Sequence, residues 1–143
     1  MLAWGGQRTT YWQANCREGH TCVLDEREDA RTLLVFGGMG VGALNDLCAY
    51  DIKTRRWRPM RVTTESNMTN PIAERYAHAA AVVDGRMYVF GGAGSRNGQV
   101  LGDVWDIDLD SGVARPVENR DDAPPPRRDH TATVAGGGLV YIL

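Results

Sequence analysis

Three Arg-x-x-His tetrads, Arg17–His20, Arg75–His78 and Arg127–His130, each lead into a mostly apolar stretch. Their histidines lie 58 and 52 residues apart. A second landmark follows the first two tetrads. Leu33-Leu34-Val35-Phe36-Gly37-Gly38 matches Met87-Tyr88-Val89-Phe90-Gly91-Gly92 at an offset of 54. A third comes after the glycines, where Leu44-Asn45-Asp46-Leu47-Cys48-Ala49-Tyr50-Asp51 matches Leu101-Gly102-Asp103-Val104-Trp105-Asp106-Ile107-Asp108 at an offset of 57. Arg58-Pro59-Met60 keeps that offset in Arg115-Pro116-Val117. Landmarks recurring in one order define a repeat array, in which each unit buries its apolar faces only against its neighbours.

Each unit reads as four strands, a to d. Strand a follows the histidine, b runs into the glycine pair, c carries Leu-x-Asp-Leu/Val, and d carries the Arg-Pro pair. Branched and aromatic residues fill a, b and c, while turn residues such as Asp84-Gly85, Lys53-Thr54 and Asp110-Ser111-Gly112 mark the joints. The 17 glycines among 143 residues suit many tight turns. The near-continuous apolar runs of a and b predict burial on both faces. Strand d mixes charge with proline in Arg56-Trp57-Arg58-Pro59, as an outer edge does. The glycine pair predicts positive φ and a backbone approach that a Cβ would obstruct.

With these landmarks the chain resembles a kelch-repeat β-propeller. The resemblance rests on Gly37-Gly38 and Gly91-Gly92, on Tyr50 with Trp57 seven residues later, on Asp46 and Asp103, and on the three Arg-x-x-His starts with His20, His78 and His130. It covers about residues 11–143 and implies an all-β fold of four-stranded antiparallel blades. Residues 17–61 form blade 1 and 75–118 blade 2; 127–143 supply strands a and b of blade 3, and 11–16 supply a strand d. Residues 1–10 are an unassigned leader, although Met1–Gly6 imitates the end of a strand b. In blade 2, Ile107 and Ala114 replace the tyrosine and tryptophan, which predicts weaker outer packing there. A propeller ring needs about 4–8 blades. The expectation is therefore an incomplete ring: a fragment of a longer propeller, a truncated and non-functional piece, or an arc completed by self-association through open blade faces.

Composition narrows the function. Sixteen basic residues against 18 acidic ones give a net charge of −2, with no field to recruit nucleic acid or an anionic membrane. No apolar run reaches a membrane span, and the N-terminus lacks the pattern of a secretion signal. Cys16, Cys22 and Cys48 are odd in number and have no metal-ligand spacing, so they read as reduced thiols of a cytoplasmic protein. Asn67-Met68-Thr69 fits a glycosylation sequon, read as a chance match without a signal.

The long loops join b to c and d to the next a, on one face of the meander, where repeat proteins place recognition. Expected contacts are Arg96, Asn97 and Gln99 on one loop, and Glu65, Asn67, Met68 and Asn70 on another. Arg17, Arg75 and Arg127 read either as anchors or as a ring of cations receptive to an acidic peptide. The histidines recur at matching angles and read as structural. Asp46 and Asp103, one per repeat, read as capping or turn residues rather than an acid–base pair. Lys53, Arg55, Arg56, Arg58 and Arg61 read as a solvated face. Gly37–Gly40 and Gly136–Gly138 lack the ending of a phosphate loop. The resemblance implies a protein-binding scaffold or adaptor, with no catalytic residue, metal or cofactor. Its alternative is a piece of a copper oxidase or an iron-dependent specifier-like enzyme, whose His/Tyr/Cys or Glu/Asp/His cluster these residues do not assemble.

Overall fold

The computed structural model describes residues 14–27, 31–66, 69–118 and 123–143. The leader 1–10, the strand expected at Tyr11-Trp12-Gln13, and the candidates Asn67 and Met68 lie outside the described residues. Strands β1 (Thr21–Asp25), β2 (Thr32–Met39), β3 (Ala43–Asp51) and β4 (Arg56–Met60) form an antiparallel sheet in sequence order. The second sheet holds β5 (Arg75–Tyr76), β6 (Ala79–Val83), β7 (Arg86–Gly94), β8 (Val100–Asp108) and β9 (Ala114–Val117). Here β5 and β6 both pair with β7 and are two halves of one strand, broken at Ala77-His78. A hairpin of β10 (Ala132–Ala135) and β11 (Leu139–Ile142) follows, joined by a turn at Gly136–Gly138. The described residues contain no α-helix. The three units superimpose in register: Cys22 faces Val35, Ala80 faces Val89, and Ala132 faces Ile142.

Period-two alternation decides which residues meet. Leu34, Phe36, Leu47 and Ala49 turn one face of the first sheet inward. Met87, Val89, Ile107 and Ala114 answer from the second, and these eight belong to one buried cluster. Blade packs on blade as the repeat demands. Ile107 and Ala114, at 0% and 4% exposure, sit in the middle of that contact, so the weaker packing expected of them does not occur. Their smaller volume is met by the chain linking the blades. Val62 and Ile72 join the same cluster, and Thr63 bridges the neighbouring strand, with Ala114 N donating to Thr63 O at 2.8 Å. Tyr50 and Trp57 occupy the equivalent place on the first sheet's other face. They are half-buried there, with ring centroids 5.0 Å apart.

Two expectations need correction. β1 is not buried on both faces: Cys22 is exposed and its neighbours are only half-buried, because no described blade covers its outer side. The linker 62–74 is not simply a face loop, since Val62, Thr63 and Ile72 are buried in the seam.

The glycine pairs act as expected, and the reason is visible. Gly37 and Gly38 have φ of 58° and 101°, and Gly91 and Gly92 have 52° and 101°. A Cβ on Gly91 would lie 2.7 Å from Arg127 O of the next repeat; one on Gly92 would lie 2.7 Å from the His78 Cβ of its own. The pair is pressed between two Arg-x-x-His segments, and Gly92 N donates to Arg127 O at 2.9 Å. Gly92→Ala is therefore expected to cost about 2–4 kcal/mol from strain and steric overlap together. Gly136→Ala, with nothing within 4 Å of its Cβ, should change stability by less than about 0.5 kcal/mol. Urea unfolding of the two variants provides the comparison; equal midpoints would refute the close-approach account.

Candidate interaction face

Two of the three repeated arginines, Arg17 and Arg75, are spent inside the fold. Arg75 is fully buried. Its Nη1 and Nη2 donate to the two carboxylate oxygens of Asp103 at 2.9 and 2.8 Å, Nη1 also donates to Gly91 O at 2.9 Å, and Nε to Ala73 O at 3.1 Å. Arg17 repeats the pattern on Asp46, Gly37 O and Asn15 O. Arg75 thus presents nothing to a partner, and in the first two blades the expected ring of cations is replaced by forks within the blade. Asp46 and Asp103 are likewise neither caps nor turn residues. Burial pushes both carboxyls up, but the hydrogen bonds and charge of their arginines, together with hydrogen bonds from Cys48 to Asp46 and from Trp105 to Asp103, jointly outweigh it and hold them below the usual range. Trp105 Nε1 also donates to Asp103 at 2.6 Å, and Cys48 Sγ to Asp46 at 3.3 Å.

The histidines join one blade to the previous one. His78 lies edge-on to Phe36 with centroids 5.5 Å apart, and its Nε2 shares a 2.9 Å hydrogen bond with Thr21 Oγ1. Burial, helped by the charge of Arg75, lowers its pKa to about 3. Ala77 N donates to Gly19 O at 2.8 Å and Asp129 N to Ala77 O at 2.9 Å, one inner rung per blade boundary. Among the described residues, no group of three His, Cys, Asp or Glu is placed to hold a metal ion.

What remains available lies at the b–c tips, at the end where β2 turns into β3 and β7 into β8. Gly94 N donates to Gln99 O and Gln99 N to Arg96 O, at 2.9 and 3.0 Å. Asn97 and Gly98 take left-handed φ of 51° and 64°. This pins the hairpin backbone and leaves the Arg96, Asn97 and Gln99 side chains exposed. The corresponding tip of the first sheet carries Val41, fully exposed between Gly40 and Gly42. Sequence reasoning passed over Val41, although an aliphatic residue between two glycines of a b–c loop was a signal.

The other candidates divide. Glu65 is exposed but accepts from Arg115 Nε at 2.6 Å. Asn70 turns inward, donating to Asn45 O at 2.6 Å and accepting from Ile72 N at 2.9 Å. Arg127 is half-buried. At the opposite end, Arg27 crosses from the β1–β2 loop to Asp110 at 3.2 Å, edging a cleft of about 470 Å³ whose charges of both signs include Asp25, Asp51 and Arg58.

A family model described as the KLHDC2/KLHL20/DRC7 Kelch-repeats domain matches residues 2–143. The F-box/kelch-repeat protein At1g51550 of Arabidopsis thaliana is 33% identical over 135 residues, 89% of this chain and 27% of that protein. Host cell factor 2 of Homo sapiens is 37% identical over 78 residues, 53% of this chain and 9% of that protein. The leucine-zipper-like transcriptional regulator 1 homolog of Drosophila melanogaster is 38% identical over 77 residues, 53% of this chain and 7% of that protein. The chain thus spans about a quarter or less of the length of these relatives.

Arg75→Met should destabilise the fold by about 2–3 kcal/mol, less than a fully buried pair because the Asp103 side chain is 40% exposed. Arg75→Met with Asp103→Leu should recover part of that loss, as read by chemical denaturation.

Stability should also fall with pH. Unfolded, the His78 imidazole takes a proton near its ordinary 6.5; folded, only near about 3. Between those values the unfolded chain binds the extra proton, so acidification favours unfolding by up to about 1.4 kcal/mol per unit. Asp46 and Asp103, lowered from 3.8, add their losses only at lower pH. His78→Gln should flatten the dependence between about pH 7 and pH 5 in urea titrations, leaving the smaller part owed to His20 and His130, both also lowered by burial.

Proposed function

Because the chain belongs to the kelch-repeat family, we propose that it acts as a protein-interaction module, a scaffold or adaptor with no catalytic centre of its own. The observation that carries this reading is the contrast between two sets of polar groups. The Arg–Asp forks are consumed within the blades, whereas Arg96, Asn97 and Gln99 stand exposed on the pinned tip of the second sheet and Val41 on the corresponding tip of the first. Protein surfaces of this kind bind through a few anchors held on a rigid frame, with arginine among the favoured residues.

The family's usual role as an interaction module supports the reading, as does a relative whose name joins kelch repeats to an F-box. The partner proposed is a protein, engaged through a short polar segment that accepts from Arg96 and Gln99 and sets an apolar residue against Val41. Three free cysteines, Cys16 and Cys22 exposed and Cys48 buried, fit a cytoplasmic setting that keeps thiols reduced. Burial and the Asp46 carboxylate push the Cys48 thiol up to about 12, so it stays protonated and unreactive.

Selection of a displayed peptide library on the 143-residue chain tests the proposal. Selected peptides should bind at least tenfold more weakly to a Val41→Asp/Arg96→Glu/Gln99→Ala variant. They should bind unchanged to Lys53→Glu, which lies on the β3–β4 turn at the other end. Loss with Lys53→Glu and retention with the triple variant would overturn it.

A further inference from the structure

The wedge between the first two sheets stays open at the end where β1 turns into β2 and β3 into β4. This is the cleft of about 470 Å³, and both sheets that wall it carry strands a to d. Its apolar lining comes from Leu34 and Leu109, both buried, and from half-buried Met60. Its charged lining sets three carboxylates, Asp25, Asp51 and Asp110, against two guanidiniums, Arg27 and Arg58, leaving one negative charge in excess. Arg27 is committed to Asp25 and Asp110. Asp51 accepts from Thr54 N at 2.7 Å through Oδ1, and among the described residues it has no ion pair.

The second sheet shows what an aspartate at this place takes. By the shared register, Arg86 stands opposite Asp108 where Thr32 stands opposite Asp51, and Tyr88 stands opposite Asp106 where Leu34 stands opposite Ala49. Asp51 and Asp108 both end a strand c and cap the turn that follows, Asp108 Oδ1 accepting from Ser111 N at 2.8 Å. Arg86 then spans the two aspartates of its sheet. Its Nε donates to Asp106 Oδ1 at 2.8 Å, and its Nη1 lies 3.4 Å from Asp108 Oδ2. In the first sheet the cation is exchanged for Thr32 and its main anchor for Ala49. Asp51 therefore keeps the turn but has no guanidinium of its own sheet, and the space beside it stays open.

We propose that this cleft is a docking site for an arginine side chain of a partner protein, with its aliphatic stem over Leu34, Met60 and Leu109 and its guanidinium against Asp51. The guanidinium takes the place beside Asp51 that Arg86 takes beside Asp108. The excess negative charge favours a cation, and the apolar lining favours one carried on a long stem. A planar, weakly hydrated guanidinium suits a carboxylate in such a cleft better than an ammonium does. Arg58, which lines the same cleft, is the group that opposes the incoming charge. This site lies at the opposite end from the b–c tips, so its fate does not depend on theirs.

The probes are blocked tripeptides, acetyl-Gly-X-Gly-amide with arginine, lysine or citrulline as X, titrated by NMR into the 143-residue protein carrying carbon-13 methionine methyls. The Met60 methyl, assigned by Met60→Leu, reports the cleft, and Met39 at the b–c end serves as the reference. The arginine peptide should shift Met60 saturably, with a Kd of about a millimolar, and leave Met39 in place. Lysine should bind about threefold more weakly, and citrulline, the same shape without the charge, about tenfold. Thr32→Arg, which supplies Asp51 from within the sheet, should abolish the shift. Asp51→Asn should weaken binding about fivefold, and Arg58→Gln should strengthen it about twofold. Should Asp51→Asn fail to fold, the other two variants still decide. No saturable shift at Met60, equal binding of citrulline, or indifference to Thr32→Arg overturns the proposal. So does weaker binding to Arg58→Gln, which would make the cleft a site for an anion.

Discussion

A guanidinium taken out of water must find acceptors for nearly all of its donors, and Arg75 is out of water altogether. Its acceptors come from its own segment, at Ala73 leading into the tetrad, and from two others: Gly91 of strand b and Asp103 of strand c. One charge thereby ties the entry, second and third strands of a blade at their common inner end. The fork is selective in a way that apolar packing is not. A slip of one residue between β7 and β8 would turn Asp103 to the other face and strand the cation. The same group explains why Asp103 stays ionised despite its burial.

The glycine pairs convert that blade-level frame into contact between blades. Because neither glycine has a Cβ, the next repeat's Arg127 carbonyl accepts directly from Gly92 N. Where the blades meet, Gly19, Ala77 and Asp129 occupy equivalent positions, all with left-handed φ near 60°. The conformation is retained in Ala77 and Asp129 despite its cost for residues with a Cβ, because each carries a rung of the inner ladder. The repeat is not uniform. Thr21 gives His78 Nε2 a hydroxyl partner, but Ala79 stands where Thr21 does for the next histidine, and among the described residues both ring nitrogens of His130 are without a partner, as is Nδ1 of His78. One side-chain difference between repeats thus separates a histidine with one partnered nitrogen from one with none.

Most of the strand plan was legible because its signals are local: alternation, turn residues and glycine pairs. The recurrence of Arg and Asp was legible too, but not their pairing. Arg75 and Asp103 lie 28 residues apart, and nothing in either sequence context says that one will point at the other. The error over Ile107 and Ala114 has a related cause. Their small size was plain, but the volume beside them is filled by Val62 and Ile72, isolated apolar residues in a polar linker without periodicity. Asn70 reads as a surface residue in the sequence for the same reason, since only the fold brings Asn45 O within its reach.

These features divide the molecule by what its polar groups are doing. Toward the inner end, charges and backbone amides are committed to holding strand to strand and blade to blade, so changes there register first as lost stability. At the β1–β2 loop and the β8–β9 turn, Arg27 and Asp110 cross-link one blade to its neighbour. The b–c tips differ because their backbone bonds close within the hairpin and ask nothing of their side chains. Residues 96 and 99 can therefore change identity without disturbing a register or uncovering a buried charge, whereas the left-handed φ of Asn97 restricts that position. Obligatory polar contacts thus lie both beside the b–c tips, in the forks, and at the far end, in the Arg27–Asp110 crossing, and the tip side chains that take part in neither are what the fold leaves free to vary in what it recognises.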